Sequence, residues 1–146
     1  MITDRAAIAA LLPHAGSMCL IDSVLHWDAQ HIGCGSERHR APDNPLRSGD
    51  RLSAIHGIEF GAQAMAVHGG LLAGGRTSAG AGWLASVRDC RFHCERLDTL
   101  NGPLEISAYR LAQVGNALSY RFAMSAEGRV AVEGSAVVLL QAKGIP

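Results

Sequence analysis

The sequence predicts an α+β fold, an antiparallel sheet of five or six strands wrapped around one long central helix. Three observations predict it. A hairpin pattern comes early in the chain, a single helical stretch of small residues follows, and strand segments separated by turn dipeptides fill the rest. The sheet has one face to bury and only one long helix to bury it against, so it must curl around that helix.

The elements follow in order. Asp4 to Leu12 reads as a short helix with Ile8, Leu11 and Leu12 as its apolar stripe and Pro13 beyond its end. Met18 to Trp27 is apolar at nearly every position, which suits a strand buried on both faces, and the Asp28-Ala29-Gln30 turn leads into a second strand around His31 to Gly35. Ser36 to Asp50 carries Pro, Gly and Arg without periodicity and reads as a long loop, a class of segment that is often functional. Ser53 caps a helix from about Ala54 to Leu72, roughly 27 Å long at 1.5 Å per residue. After a glycine-rich break come strands at Trp83 to Cys94, Leu104 to Val114, Leu118 to Met124 and Val130 to Gln141. The two-residue Gly115-Asn116 link is a type II′ hairpin signal, and Glu127-Gly128 marks another turn. Gly57, Gly61, Ala62, Ala64 and Ala66 keep the helix thin enough for strands to approach closely, so the element order and side-chain sizes amount to the hot-dog architecture.

The chain has 146 residues, 48% apolar and 18% charged, and reads as one domain spanning 1–146. Glycine takes 17 of the 146 positions, about 12% against a usual ~7%, which fits close backbone packing. Lys plus Arg and Asp plus Glu each number 13, so the net charge of 0 excludes uniform attraction to nucleic acid or an anionic membrane. No apolar run reaches membrane-spanning length and the N-terminus lacks the order of a signal peptide, so a cytoplasmic protein is expected. The four cysteines then read as reduced thiols. On a strand, Cys90 and Cys94 share a face with Phe92 and turn His93 to the other, so they cannot converge on zinc. Neither a metal nor a cofactor is expected.

Chemistry concentrates on the helix. His56, Glu59 and Gln63 fall at i, i+3 and i+7, on one face. A carboxylate on a helix enclosed by a sheet must be paired, desolvated with a raised pKa, or open to a cleft. Between Leu52 and Arg76 there is no Lys or Arg to make the helix amphipathic in the ordinary way, so Glu59 reads either as an edge residue or as an acid or base facing a cleft. Gln63 would orient a substrate group or hydrogen-bond Glu59. His14 lies between a helix stop and a strand, where the plain alternative is a surface turn; the other histidines lack a carboxylate or thiol at useful spacing and read as structural.

Leu12-Pro13-His14, Met18-Cys19-Leu20-Ile21-Asp22 and Gly57-Ile58-Glu59-Phe60-Gly61-Ala62-Gln63-Ala64-Met65-Ala66 resemble the hot-dog 3-hydroxyacyl-(acyl carrier protein) dehydratases, particularly the small bacterial branch linked to aryl-polyene-type lipid synthesis. The resemblance covers most of the chain, and Glu59 and Gln63 reproduce the family's four-residue step. The family's His-Phe-Pro-Gly segment ahead of the Glu is replaced here by Asp43-Asn44-Pro45-Leu46-Arg47, which contains no histidine. His14 or His56 would then supply the imidazole.

The resemblance implies dehydration of a 3-hydroxyacyl thioester held on acyl carrier protein, with Glu59 and His14 catalytic and His56, Gln63, Gly57 and Met18 on the substrate side. The reaction needs a base for the C2 proton, an acid for the leaving 3-hydroxyl, and donors for the thioester carbonyl, for which backbone N–H groups at the helix start are natural. Two alternatives stand beside it: an acyl thioesterase on the same fold, and a non-catalytic subunit of a hetero-oligomer. Acyl carrier proteins are acidic, so Arg38, Arg40 and Arg47 in the long loop are the expected docking patch. A homodimer or higher assembly is expected, since a thin sheet around one helix leaves an edge and a face unburied.

Overall fold

The computed structural model describes residues 1–12, 18–75 and 82–140. Helix α1 (Arg5–Ala9) begins at Asp4, whose side chain accepts from the Ala6 N–H, and it buries Ile8. Strands β1 (Ser23–Trp27) and β2 (His31–Ser36) form the early hairpin. Helix α2 (Gly57–Leu72) is followed by β3 (Gly82–Phe92), β4 (Leu104–Val114), β5 (Ala117–Ala126) and β6 (Arg129–Leu140). They form one six-stranded antiparallel sheet in the order β1-β2-β4-β5-β6-β3.

Turn chemistry fixes the meander. Gly115, with φ +60, opens the two-residue link between β4 and β5, as the type II′ signal requires. Glu127 and Gly128 both have positive φ, 51° and 75°, which is the type I′ pattern between β5 and β6.

Helix α2 packs across β2, β4 and β5. Its Phe60, Ala64 and Val67 join Ile32, Cys34, Ile106, Ala108, Tyr120 and Met124 in the core. The small residues serve this approach: a Cβ on Gly61 would stand 2.7 Å from the Phe122 ring, and one on Gly57 would stand 2.8 Å from Val132 Cγ2. Tyr120 and His68 tie the far end of the helix to the sheet. His68 Nε2–H donates to the Asp28 carbonyl over 2.7 Å, and Nδ1 accepts the Tyr120 hydroxyl over 2.7 Å.

Three expectations are corrected. The strand expected from Met18 begins only at Ser23, because the Met18 carbonyl and Leu20 N–H bond the Gln63 side chain instead of a neighbouring strand. It is also an edge strand, with Leu25 and Trp27 exposed, where burial on both faces was expected. On β3 a bulge between Arg88 and Arg91, with Asp89 at φ 52, breaks the alternation on which the zinc argument relied. His93 there meets Glu133 of β6 at 2.8 Å.

Candidate active site

The chain enters α2 through a 3-10 turn, Ala54–His56, so the helix expected from Ala54 starts at Gly57. This turn uses up backbone donors. The Ile55 N–H reaches Ser53 Oγ, the His56 N–H reaches the Ser53 carbonyl, and the Gly57 N–H reaches the carbonyls of Ala54 and Ile55. The first N–H groups of the helix region are therefore engaged within the turn, not presented to a substrate carbonyl as expected.

Glu59 stands in the first turn of α2, half-buried. The sheet does not enclose the helix on every side: Ile55 is 55% exposed, and Ile58, Glu59, Ala62 and Ala66 form a half-exposed stripe at helical spacing. His56 lies one turn before Glu59 and is half-buried as well. On this half-exposed stripe the Glu59 carboxylate accepts a side-chain hydrogen bond.

The partner is Gln63, itself only 7% exposed. Its Nε2 donates to Glu59 Oε1 over 3.1 Å and to the Met18 carbonyl over 2.7 Å, while its Oε1 accepts from the Leu20 N–H over 2.8 Å. Both amide protons and the amide oxygen are occupied, so the side chain has one orientation. The segment it holds is fixed from two more directions. Ser36 Oγ donates to the Leu20 carbonyl and Arg5 donates to the Cys19 carbonyl. Gln63 thus bonds both Glu59 and the backbone at Met18 and Leu20.

The other sequence-derived residues divide. Met18 is brought to the site through its carbonyl. The bare α-carbon of Gly57 faces Val132 and Met124, so its small size serves packing against the sheet. His14, in 13–17, lies outside the described residues. In the long loop, Arg38 pairs with Asp22 at 3.4 Å, Arg40 pairs with Glu37 at 3.1 Å, and Arg47 donates to the carbonyls of Asp50 and Ala41. The loop is ordered by groups that an aperiodic reading missed. His39 is fully buried with Nε2 on the Leu100 carbonyl at 3.2 Å, and Asn44 bonds the Arg38 carbonyl at 2.7 Å. Burial, first of all, holds the His39 pKa below its ordinary value.

This geometry, a Glu at the start of a small-residue helix clamped by a Gln one turn on, can be set against known proteins. The sequence model of the ApeP-like family, described as ApeP dehydratase, matches residues 6–143. The chain belongs to the ApeP-like dehydratase family. A comparison with curated protein sequences finds no significant match. Among solved structures, the dehydratase heterocomplex ApeI:P from Xenorhabdus doucetiae superposes with a TM-score of 0.80 at 25% identity, over 93% of this chain and 91% of that one. AziG of S. sahachiroi gives 0.60 at 13% identity, over 82% and 91%. A hypothetical thioesterase from Streptococcus pneumoniae, solved with coenzyme A, gives 0.60 at 8% identity, over 82% and 84%. The last two establish the shared hot-dog fold alone. No helix of this ApeP-like chain, among the described residues, is long and apolar enough to cross a membrane.

Proposed function

We propose that this chain dehydrates 3-hydroxyacyl thioesters carried on acyl carrier protein to trans-2-enoyl thioesters, in cytoplasmic synthesis of fatty-acid or aryl-polyene-type chains. The observation that carries the reading is the clamp of Gln63 on Glu59 Oε1. An acid or base must hold its geometry to transfer a proton efficiently, and an exposed-edge glutamate would need no buried amide to orient it.

In the reaction a base removes a C2 proton, the C2–C3 double bond forms as the C3–O bond breaks, and an acid protonates the departing hydroxyl, which leaves as water. Glu59 is one proton carrier and an imidazole the other. His14 precedes Met18, whose carbonyl Gln63 holds, by four residues, at most about 14 Å of chain. His56, one turn before Glu59, is the remaining side-chain donor for the thioester carbonyl. Arg38, Arg40 and Arg47 are proposed to meet the acidic carrier.

The half-exposed stripe of α2 favours a second reading of the assembly. Glu59 shares that stripe with Ile55, Ile58 and Ala62, so a subunit seated there would complete the pocket. The ApeI:P structure is a heterocomplex of dehydratases. By that analogy the seated subunit is a related dehydratase, and this chain acts within a hetero-oligomer or lends it structure.

The test is hydration of an enoyl thioester by the chain alone and by the chain copurified with a related dehydratase subunit. Glu59→Gln should abolish turnover with the fold intact. Wild-type turnover in that variant, in both preparations, would remove Glu59 from the chemistry. Activity confined to the copurified complex and indifferent to the substitution would establish the non-catalytic role.

A further inference from the structure

Three successive backbone carbonyls ahead of β1 are each taken by a side chain from a different element. Gln63 of α2 donates to Met18, Arg5 of α1 donates to Cys19 over 2.6 Å, and Ser36 of β2 donates to Leu20. Among the described residues, backbone pairing of this segment to β2 begins only at Asp22, whose N–H reaches the Gly35 carbonyl over 3.0 Å. The side chains of Cys19, Leu20 and Ile21 are buried, so the composition is that of a buried strand while the hydrogen bonding is not. A strand ladder would satisfy these backbone groups with almost any sequence, whereas this arrangement needs three particular side chains. One of the three, Gln63, is the side chain that also bonds Glu59.

Arg5 holds the segment at two points. While its Nη2 meets the Cys19 carbonyl, its Nε stands 2.9 Å from Asp22 Oδ1, so one rigid guanidinium spans the backbone of 19–22. Asp22 is fixed in turn, because the Glu37 N–H donates to its Oδ2 over 2.7 Å and Arg38 Nε lies 3.4 Å from its Oδ1. Arg5 is fixed by its own element: Asp4 caps α1, Ile8 is fully buried, and Ile2 exchanges two backbone hydrogen bonds with Val24 of β1. The Arg5 and Asp22 side chains are 43% and 24% exposed, and an ion pair so open to water adds little to stability. We propose that Arg5 is a positioning residue for Glu59, given the proton-carrier role proposed for that carboxylate. Arg5 sets the backbone of 19–22, that backbone sets the Gln63 amide through Met18 and Leu20, and the amide aims Glu59 Oε1.

The experiment compares the wild type with Arg5→Met, Arg5→Lys, Gln63→Leu and the Arg5→Met, Gln63→Leu double variant, as the full chain alone and copurified with a related dehydratase subunit. It reads steady-state hydration of a short enoyl thioester and the Gln63 side-chain amide signals in a proton–nitrogen correlation spectrum, identified by their loss in Gln63→Leu. Arg5→Met should shift those signals and lower kcat by about ten- to a hundredfold with KM unchanged, the scale of a small misplacement of a reacting group. Circular dichroism should stay that of the wild type, since Arg5 is exposed. Arg5→Lys should not restore kcat, because an ammonium cannot reproduce the two-point fork to Cys19 and Asp22. In the Gln63→Leu background the loss of Arg5 should add no further loss of kcat, since the route passes through Gln63. Unshifted Gln63 signals in Arg5→Met, a wild-type kcat in that variant or in Arg5→Lys, or Arg5 and Gln63 losses that multiply would each overturn the proposal. Shifted signals together with wild-type turnover in Glu59→Gln would uphold the route from Arg5 to Gln63 and overturn the proton-carrier reading instead.

Discussion

Gln63 and Glu59 share one hydrogen bond of 3.1 Å, donated by the same amide nitrogen that holds the Met18 carbonyl at 2.7 Å. The helix and the segment ahead of β1 are therefore coupled through a single side chain, and whatever moves one moves the carboxylate. On the proposed function Gln63 positions Glu59, which gives it two separable readouts, stability and turnover.

Replacing Gln63 with Leu keeps the volume and deletes the polar contacts. The buried Leu20 N–H and the Met18 carbonyl lose their partner, at about 1–3 kcal/mol for an unsatisfied buried group. Urea unfolding should register that loss. Turnover should fall further than stability accounts for, since Glu59 loses its orienting donor, and Gln63→Glu should not rescue it because a carboxylate cannot donate to Glu59 and Met18. Unchanged turnover in Gln63→Leu would separate the clamp from the chemistry.

Two glycines of α2 should respond with opposite signs to the same substitution. Gly61→Ala puts a methyl 2.7 Å from the Phe122 ring in a filled core, an overpacking cost of about 1–3 kcal/mol. Gly69→Ala meets nothing within 4 Å, and should stabilise by up to ~1 kcal/mol from helix propensity. Denaturant midpoints of the two variants check the pair.

Acid should destabilise the fold through its buried imidazoles. Burial, first of all, lowers the His68 pKa from its ordinary 6.5, and His39 shifts in the same direction for the same first cause. The folded state then binds fewer protons than the unfolded state below that ordinary value. The stabilising contribution is present above pH 6.5 and is lost as pH falls below it toward the folded-state pKa. Thermal unfolding at pH 7.5 and at pH 5 should show this loss, and His68→Asn should flatten the acid limb. An acid limb identical in that variant would assign it elsewhere.

The carrier-docking proposal has a test in substrate size. Removing Arg38, Arg40 and Arg47 together should raise KM for a carrier-bound substrate far more than for a short thioester mimic. The carrier effect should shrink as salt rises, because exposed charges are screened over roughly 8 Å at physiological ionic strength. Equal effects on both substrates would reduce the three arginines to the loop contacts seen with Asp22, Glu37 and the Asp50 and Ala41 carbonyls.

By itself the sequence determined the local matters: the order of elements, the two hairpin turns, the small face of α2, and the placing of Glu59 and Gln63 on one side of it. These follow from side-chain period and turn residues, which act over a few positions. The tertiary structure alone decided who meets whom across the chain. That Gln63 would take the backbone of Met18 and Leu20, 45 and 43 residues away, has no local signature. Nor has the burial of His39 and His68, which depends on carbonyls supplied by Leu100 and Asp28 from distant turns. Even the helix start moved: the 3-10 turn at Ala54–His56 precedes it, where Ser53 bridges Arg96 and the Ala54 N–H bonds the Glu95 carbonyl, both from a distant part of the chain. A buried polar group takes whichever partner the fold brings near, and that choice is made only when distant strands come together.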